Sequence, residues 1–146
     1  MPMPEDLSPG IAARIRQSFA AQAMMATLGA TLTEIALGRA RIEAPILPGS
    51  LQQHGYAHAA LTFAIGDSAA GYAALGIMPE GSEVLTTEMK IHLLAPAKGA
   101  RLIARGRVIK PGRRLVIVQA DVHAEENGRE THVALLTGTM IPLLPA

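Results

Sequence analysis

The sequence predicts an α+β fold in which one curved antiparallel sheet wraps a single long helix. Three observations carry this expectation. One segment, Tyr56 to Met78, is almost entirely small and apolar, with Asp67 as its only acidic residue. Four strand-like segments follow it, separated by short turns, and short turns join antiparallel neighbours. A helix apolar on every side needs cover on every side, which a curved sheet supplies.

The elements follow in order. Ser8-Pro9 reads as a helix start, with serine as cap and proline in the first turn. Ile11, Ile15 and Phe19 then repeat at helical spacing, predicting an extra N-terminal amphipathic helix over 9–25. Residues 28–37 and 39–45 read as strands joined near Gly38, the second alternating Ala40, Ile42 and Ala44 with Arg41 and Glu43. Pro48-Gly49-Ser50 marks a loop.

The long helix is expected over 55–76, closed by Gly76 and Pro79. Gly66 and Gly71 each cost about 1 kcal/mol there, and close packing of a neighbour would account for them. Strands are expected at 82–94, 100–110, 114–125 and 130–142. Lys110-Pro-Gly-Arg113 and Glu126-Asn-Gly-Arg129 are the intervening turns. Residues 1–146 read as a single domain, a length that suits one core.

Composition narrows the function. A net charge of +1 gives no general attraction to nucleic acid or membrane. The absence of cysteine removes disulfides, thiolate metal sites and a cysteine nucleophile. Aromatic content of 3 % argues against base-stacking surfaces. The first residues lack the basic start and apolar core of a signal peptide, so a cytoplasmic protein is expected. Residues 56–78 approach the length of a membrane span, but His58, Thr62, Asp67 and Ser68 within them favour a buried core helix.

A lone carboxylate in an apolar helix is costly unless paired or used. The stretch His58-Ala-Ala-Leu-Thr-Phe-Ala-Ile-Gly-Asp67-Ser-Ala-Ala-Gly-Tyr-Ala resembles the signature of PaaI-type (phenylacetate-pathway) acyl-CoA thioesterases of the hotdog fold. That family reads His-Gly-Gly, six residues, then Asp. Thr86-Thr-Glu-Met-Lys-Ile-His-Leu-Leu-Ala-Pro-Ala97 resembles the strand after its helix. Two departures stand out: Ala59 and Ala60 replace the glycines, and Gln52 replaces an asparagine.

The resemblance implies hydrolysis of an acyl-CoA or aryl-CoA thioester, without a cofactor or metal. Asp67 would be general base or nucleophile, and the Ala59 N–H the oxyanion donor. Gln52 would hydrogen-bond near the thioester, His58 would organise its loop, and Thr86 would orient the water. Gln53, His54, Gly55, Ala60 and Ser68 would line the substrate. Lys110, Arg113 and Arg114, in a cluster holding eight of the thirteen basic residues, would meet the CoA phosphates; exposed strands also carry such residues as solvated faces.

Helical rise alone adds a requirement. Ala59 and Asp67 stand eight residues apart, about 12 Å along an axis. One carbonyl cannot touch both, so two antiparallel copies sharing two sites are expected, as a homodimer or a tetramer built from dimers.

Other readings weigh against these. His54 and His58, spaced i, i+4, would suit a metal on a helix, although no third ligand is evident. Asp67 could instead be a structural residue satisfied by Ser68 or a strand. An enoyl-thioester hydratase of the same fold would want a histidine five positions after Asp67, where Tyr72 stands. A non-catalytic acyl-CoA-binding protein is the remaining alternative.

Overall fold

The computed structural model describes residues 6–145; the start of the chain, on which the signal-peptide expectation rests, lies outside them. Helix α1 (Pro9–Ala20) opens as expected, with the Ser8 hydroxyl accepting the Ile11 N–H at 3.3 Å. It then departs from the expected 9–25. A second short helix, α2 (Ala23–Leu28), begins after Gln22 adopts extended geometry, ψ 100°. The cause is tertiary: the Gln22 side-chain amide donates to the Tyr72 hydroxyl at 2.7 Å.

Leu28 is the last helical residue and Gly29 caps it with φ 70°. Strand β1 therefore spans Thr31–Ala36, later than the predicted start at 28. Strand β2 (Arg39–Pro45) is as expected, and a short 3₁₀ turn at Pro48–Ser50 follows.

The central helix is α3, Ala59–Leu75, which begins four residues later than the predicted start at 55. Residues 51–58 satisfy their backbone elsewhere. Gln52 N–H bonds Tyr56 O at 2.8 Å, Ala57 N–H bonds Ala97 O at 2.9 Å, and His58 N–H bonds Ser50 O at 2.8 Å. Gly55 takes φ 84°, which a helix cannot use. Strands β3 (Glu83–Leu93), β4 (Arg101–Pro111), β5 (Val116–Glu126) and β6 (Arg129–Leu143) complete the chain within a residue or two of expectation. Asn127 and Gly128 both take positive φ, 54° and 78°, as the expected β5–β6 turn requires.

All six strands form one antiparallel sheet in the order β1-β2-β4-β5-β6-β3. Helix α3 lies in its concave face, with Leu61, Ile65, Ala69, Ala73 and Ala74 fully or almost fully buried. Small residues set the distance. A Cβ added to Gly106 of β4 would sit 2.4 Å from the Ala69 carbonyl, and one on Gly66 would sit 2.9 Å from the Leu136 methyls. The strand thus rests on the helix backbone. Among the described residues no helix is long and apolar enough to cross a membrane.

Two consequences bear on function. First, α3 is not covered all round: Ala59, Ala60, Phe63, Ala64, Asp67 and Ser68 form a stripe that is partly or fully open. Second, β3 is an eleven-residue edge strand beside that stripe.

Candidate active site

The stripe puts Asp67 opposite β3, and the strand answers it. Thr86 Oγ1 donates to Asp67 Oδ1 at 2.8 Å and lies 3.1 Å from Met140 Sδ. A register shift between Thr86 and Glu88 makes this contact possible. Beyond the shift, Met89 and Ile91 point to the core; before it, Val84 does. Without an extra residue at Thr87 those parities conflict, and Thr86 would face outward. The bulge therefore decides which of two adjacent threonines meets Asp67. Thr87 instead donates to the Thr139 carbonyl at 3.1 Å.

Burial raises the Asp67 pKa, because desolvation disfavours the charged carboxylate, and the Thr86 hydrogen bond pulls partly the other way. A carboxyl shifted toward neutrality is a better proton acceptor than an ordinary aspartate at neutral pH.

At the other end, His58 is the N-cap of α3, its Nδ1 accepting the Ala60 N–H at 2.8 Å. That bond uses the amide of Ala60. The Ala59 N–H carries no hydrogen bond among the described residues and stands at the positive end of the helix. Gln52 Oε1 accepts the amides of His54 (2.5 Å) and Tyr56 (3.2 Å), which folds the loop against the helix start. Gln53, His54 and Gly55 sit exposed on that loop.

Because residues 54–57 are not helical, His54 and His58 do not share a helix face. The i, i+4 reading fails for that reason. Among the described residues no three acidic or histidine side chains are grouped to hold a metal.

The two ends remain apart within one chain. Ala59, His58 and Gln52 border a cavity of about 620 Å³ with Leu93 and Pro96. Asp67, Ser68 and Thr86 border another of about 320 Å³. Eight helical residues, about 12 Å, separate the amide from the carboxyl.

The basic cluster divides. Arg101 pairs with Glu43 and Glu125, Arg105 with Glu130, and Arg107 with Asp121. Lys110, Arg113 and Arg114 form no ion pair among the described residues and are exposed at the β4–β5 hairpin. Arg113 lies by Ile77 and Pro79, past the C-terminal end of α3, so these three lie far from Ala59 of the same chain.

Sequence reasoning assigned no pocket role to Ser18 or Gln22, which line the Asp67 cavity together with Gly71 and Met140. A tyrosine inside an apolar helix was the available signal, since a buried hydroxyl demands a partner. Tyr72 finds Ser18 at 3.0 Å and Gln22 at 2.7 Å.

Comparison with known proteins decides the family. The thioesterase superfamily profile matches residues 54–131. A thioesterase family protein from Silicibacter pomeroyi is 41 % identical, with a TM-score of 0.91 over 93 % of this chain and 100 % of the other. The chain belongs to the thioesterase superfamily.

Its fold is the hotdog fold. The E. coli PaaI protein of the phenylacetic acid degradation operon shares it at 19 % identity, with a TM-score of 0.84 covering 94 % and 96 % of the two chains. The phenylacetic acid degradation protein PaaI of Thermus thermophilus is 26 % identical, with a TM-score of 0.71 covering 82 % and 98 %. No curated protein matches this sequence. The thioesterase profile ends at 131, yet the strand that completes the sheet beside β3 runs on to Leu143.

Proposed function

We propose that this thioesterase-superfamily chain hydrolyses acyl-CoA or aryl-CoA thioesters to the free acid and CoA, as a homodimer with two shared sites. One observation carries the reading: the open stripe of α3 holds an unbonded amide at Ala59 and a desolvated carboxyl at Asp67, too far apart to serve one carbonyl alone. A two-fold axis beside the stripe would oppose Asp67 to the partner subunit's Ala59.

The edge strand supports such an axis. Its outer backbone groups have no sheet partner, and Leu85 and Leu93 are 47 % and 59 % exposed. A long unpaired edge invites pairing with another chain. Antiparallel pairing of β3 with its own copy is self-complementary and sets two α3 helices side by side. Paired dimers would form a tetramer.

The chemistry follows from the groups. Asp67, oriented by Thr86, takes a proton from water as the oxygen attacks the thioester carbon. The carbonyl oxygen gains negative charge against the partner's Ala59 amide. Collapse breaks the C–S bond, and CoA leaves as thiolate, which takes up the proton. Direct attack by the carboxylate would give an anhydride that water then opens. Ser68 would border the acyl group. Gln52 and His58 hold the amide end, with Gln53, His54, Gly55 and Ala60 around it. Lys110, Arg113 and Arg114 would meet CoA phosphates. We assign the chain to the PaaI-type branch on the His58-to-Asp67 spacing, and to the cytoplasm, where CoA thioesters are used.

The test is thiol release from a panel of acyl-CoAs. Release by the wild type that drops by about 10²-fold or more in Asp67→Asn supports hydrolysis. Tight binding without release would make the protein an acyl-CoA binder. Shared sites predict that Asp67→Asn mixed with Ala59→Pro, which deletes the amide hydrogen, regains activity in hybrid dimers.

A further inference from the structure

We infer that the cavity beneath Asp67 receives the acyl group, and that Tyr72, Ser18 and Gln22 at its far end select an acyl group ending in a hydroxyl or similar hydrogen-bonding group. The inference rests on the thioester reading and names its substrate class.

Geometry gives the cavity its direction. Gly71 lies one helical turn beyond Asp67 on the same face. A Cβ there would meet only Met140 Cε, at 3.8 Å. Packing does not demand glycine at 71, unlike Gly66 and Gly106; its missing side chain leaves room. The space of about 320 Å³ passes from Asp67 along Gly71 to Tyr72. Five residues separate Asp67 from Tyr72, about 7.5 Å along the axis, which suits a short acyl group.

The far wall comes from outside the sheet-and-helix core. Helix α1 is pinned over it by buried Ile15, by Arg14 donating to Glu83 at 2.5 Å, and by Phe19 packed edge-on to Tyr72 with ring centroids 6.2 Å apart. Ser18 and Gln22 thereby reach the Tyr72 hydroxyl, on a side chain only 5 % exposed.

The hydrogen-bond inventory then leaves capacity spare. Gln22 Nε2 donates to Tyr72. The Tyr72 and Ser18 hydroxyls own two protons and share one bond. One proton therefore lacks an acceptor among the described residues, and so does the Gln22 carbonyl oxygen lack a donor. A wholly apolar acyl end would expel water from these groups and leave them unpaired, whereas a terminal hydroxyl satisfies both kinds.

The experiment compares hexanoyl-CoA with 6-hydroxyhexanoyl-CoA. Wild type should favour the hydroxylated thioester by about tenfold in kcat/KM, one hydrogen bond's worth. In Tyr72→Phe that ratio should fall to about one. Ser18→Ala, which leaves the aromatic packing intact, should lower it in the same direction and covers the case of a Tyr72→Phe protein that folds poorly. Equal turnover of both substrates by wild type, or a ratio that survives both substitutions, would overturn the inference. Should wild type hydrolyse neither, calorimetric Kd values for the same pair decide. A preference lost in the variants then upholds the pocket while hydrolysis falls; equal Kd values reject the pocket too.

Discussion

Thr86 donates a 2.8 Å hydrogen bond to Asp67 across the seam between the edge strand and the central helix. It is the single side-chain hydrogen bond that the structure gives this carboxyl among the described residues. It both orients one oxygen and stabilises the charged form, against a burial that disfavours charge.

Removing that bond makes a pH prediction. Thr86→Val leaves desolvation unopposed, so the Asp67 pKa rises further. The acidic limb of the kcat/KM profile should move to higher pH, and kcat at its plateau should drop about tenfold or more as the carboxyl loses its orientation. Thr86→Ser should restore both. A limb that stays in place in Thr86→Val would show that Asp67 does not govern it.

The same carboxyl predicts a stability effect of definite sign. Its folded pKa lies above the model-peptide value of 3.8, so the folded state binds its proton more tightly than the unfolded one. Its contribution to stability is complete below that value and is lost as pH rises through the folded pKa. Asp67→Asn should therefore gain thermal stability over wild type at neutral pH, with the gain vanishing under acid. Thermal melts across the pH range check this, and a constant difference would contradict it.

His58 is expected to act through the backbone. His58→Ala removes the acceptor for the Ala60 amide and should cost about 1 kcal/mol, the usual worth of an N-cap, seen as a Tm lower by about 2–4 °C. Freed, that amide also competes for the charge meant for Ala59, so kcat should fall. His58→Asn, a good cap, should recover the Tm. If His58 were instead a proton carrier, Asn would restore stability without activity.

Two glycines should respond differently to alanine. At Gly106 the new methyl meets backbone atoms of Ala69 at 2.4 Å, which cannot yield without moving the helix. A loss of about 1–3 kcal/mol is expected. At Gly66 the methyl meets the ends of the Leu136 side chain at 2.9 Å, which can turn, and alanine regains about 1 kcal/mol of helix propensity. Denaturant melts should rank Gly106→Ala clearly below Gly66→Ala.

Much of this was legible in the residues. The apolar helix, the turns at Gly38, Lys110–Arg113 and Asn127-Gly128, and the strand order along the chain follow from local patterning. Local reasoning failed where a distant group took over the backbone or a side chain. The helix starting at 9 stops early because Gln22 turns toward Tyr72, fifty residues away. The central helix starts late because residues 51–58 bond to one another and to Ala97. The bulge at Thr87 was visible in principle, in the change of parity between Val84 and Met89.

Sequence alone determined that a long apolar helix carries one carboxyl, Asp67, eight residues and about 12 Å beyond Ala59, since rise per residue is a property of the backbone. Only the folded chain decided which threonine faces that carboxyl, which arginines are already paired, and that α1 closes the cavity. Those outcomes depend on register and on contacts between segments far apart in the chain, and no local pattern encodes them.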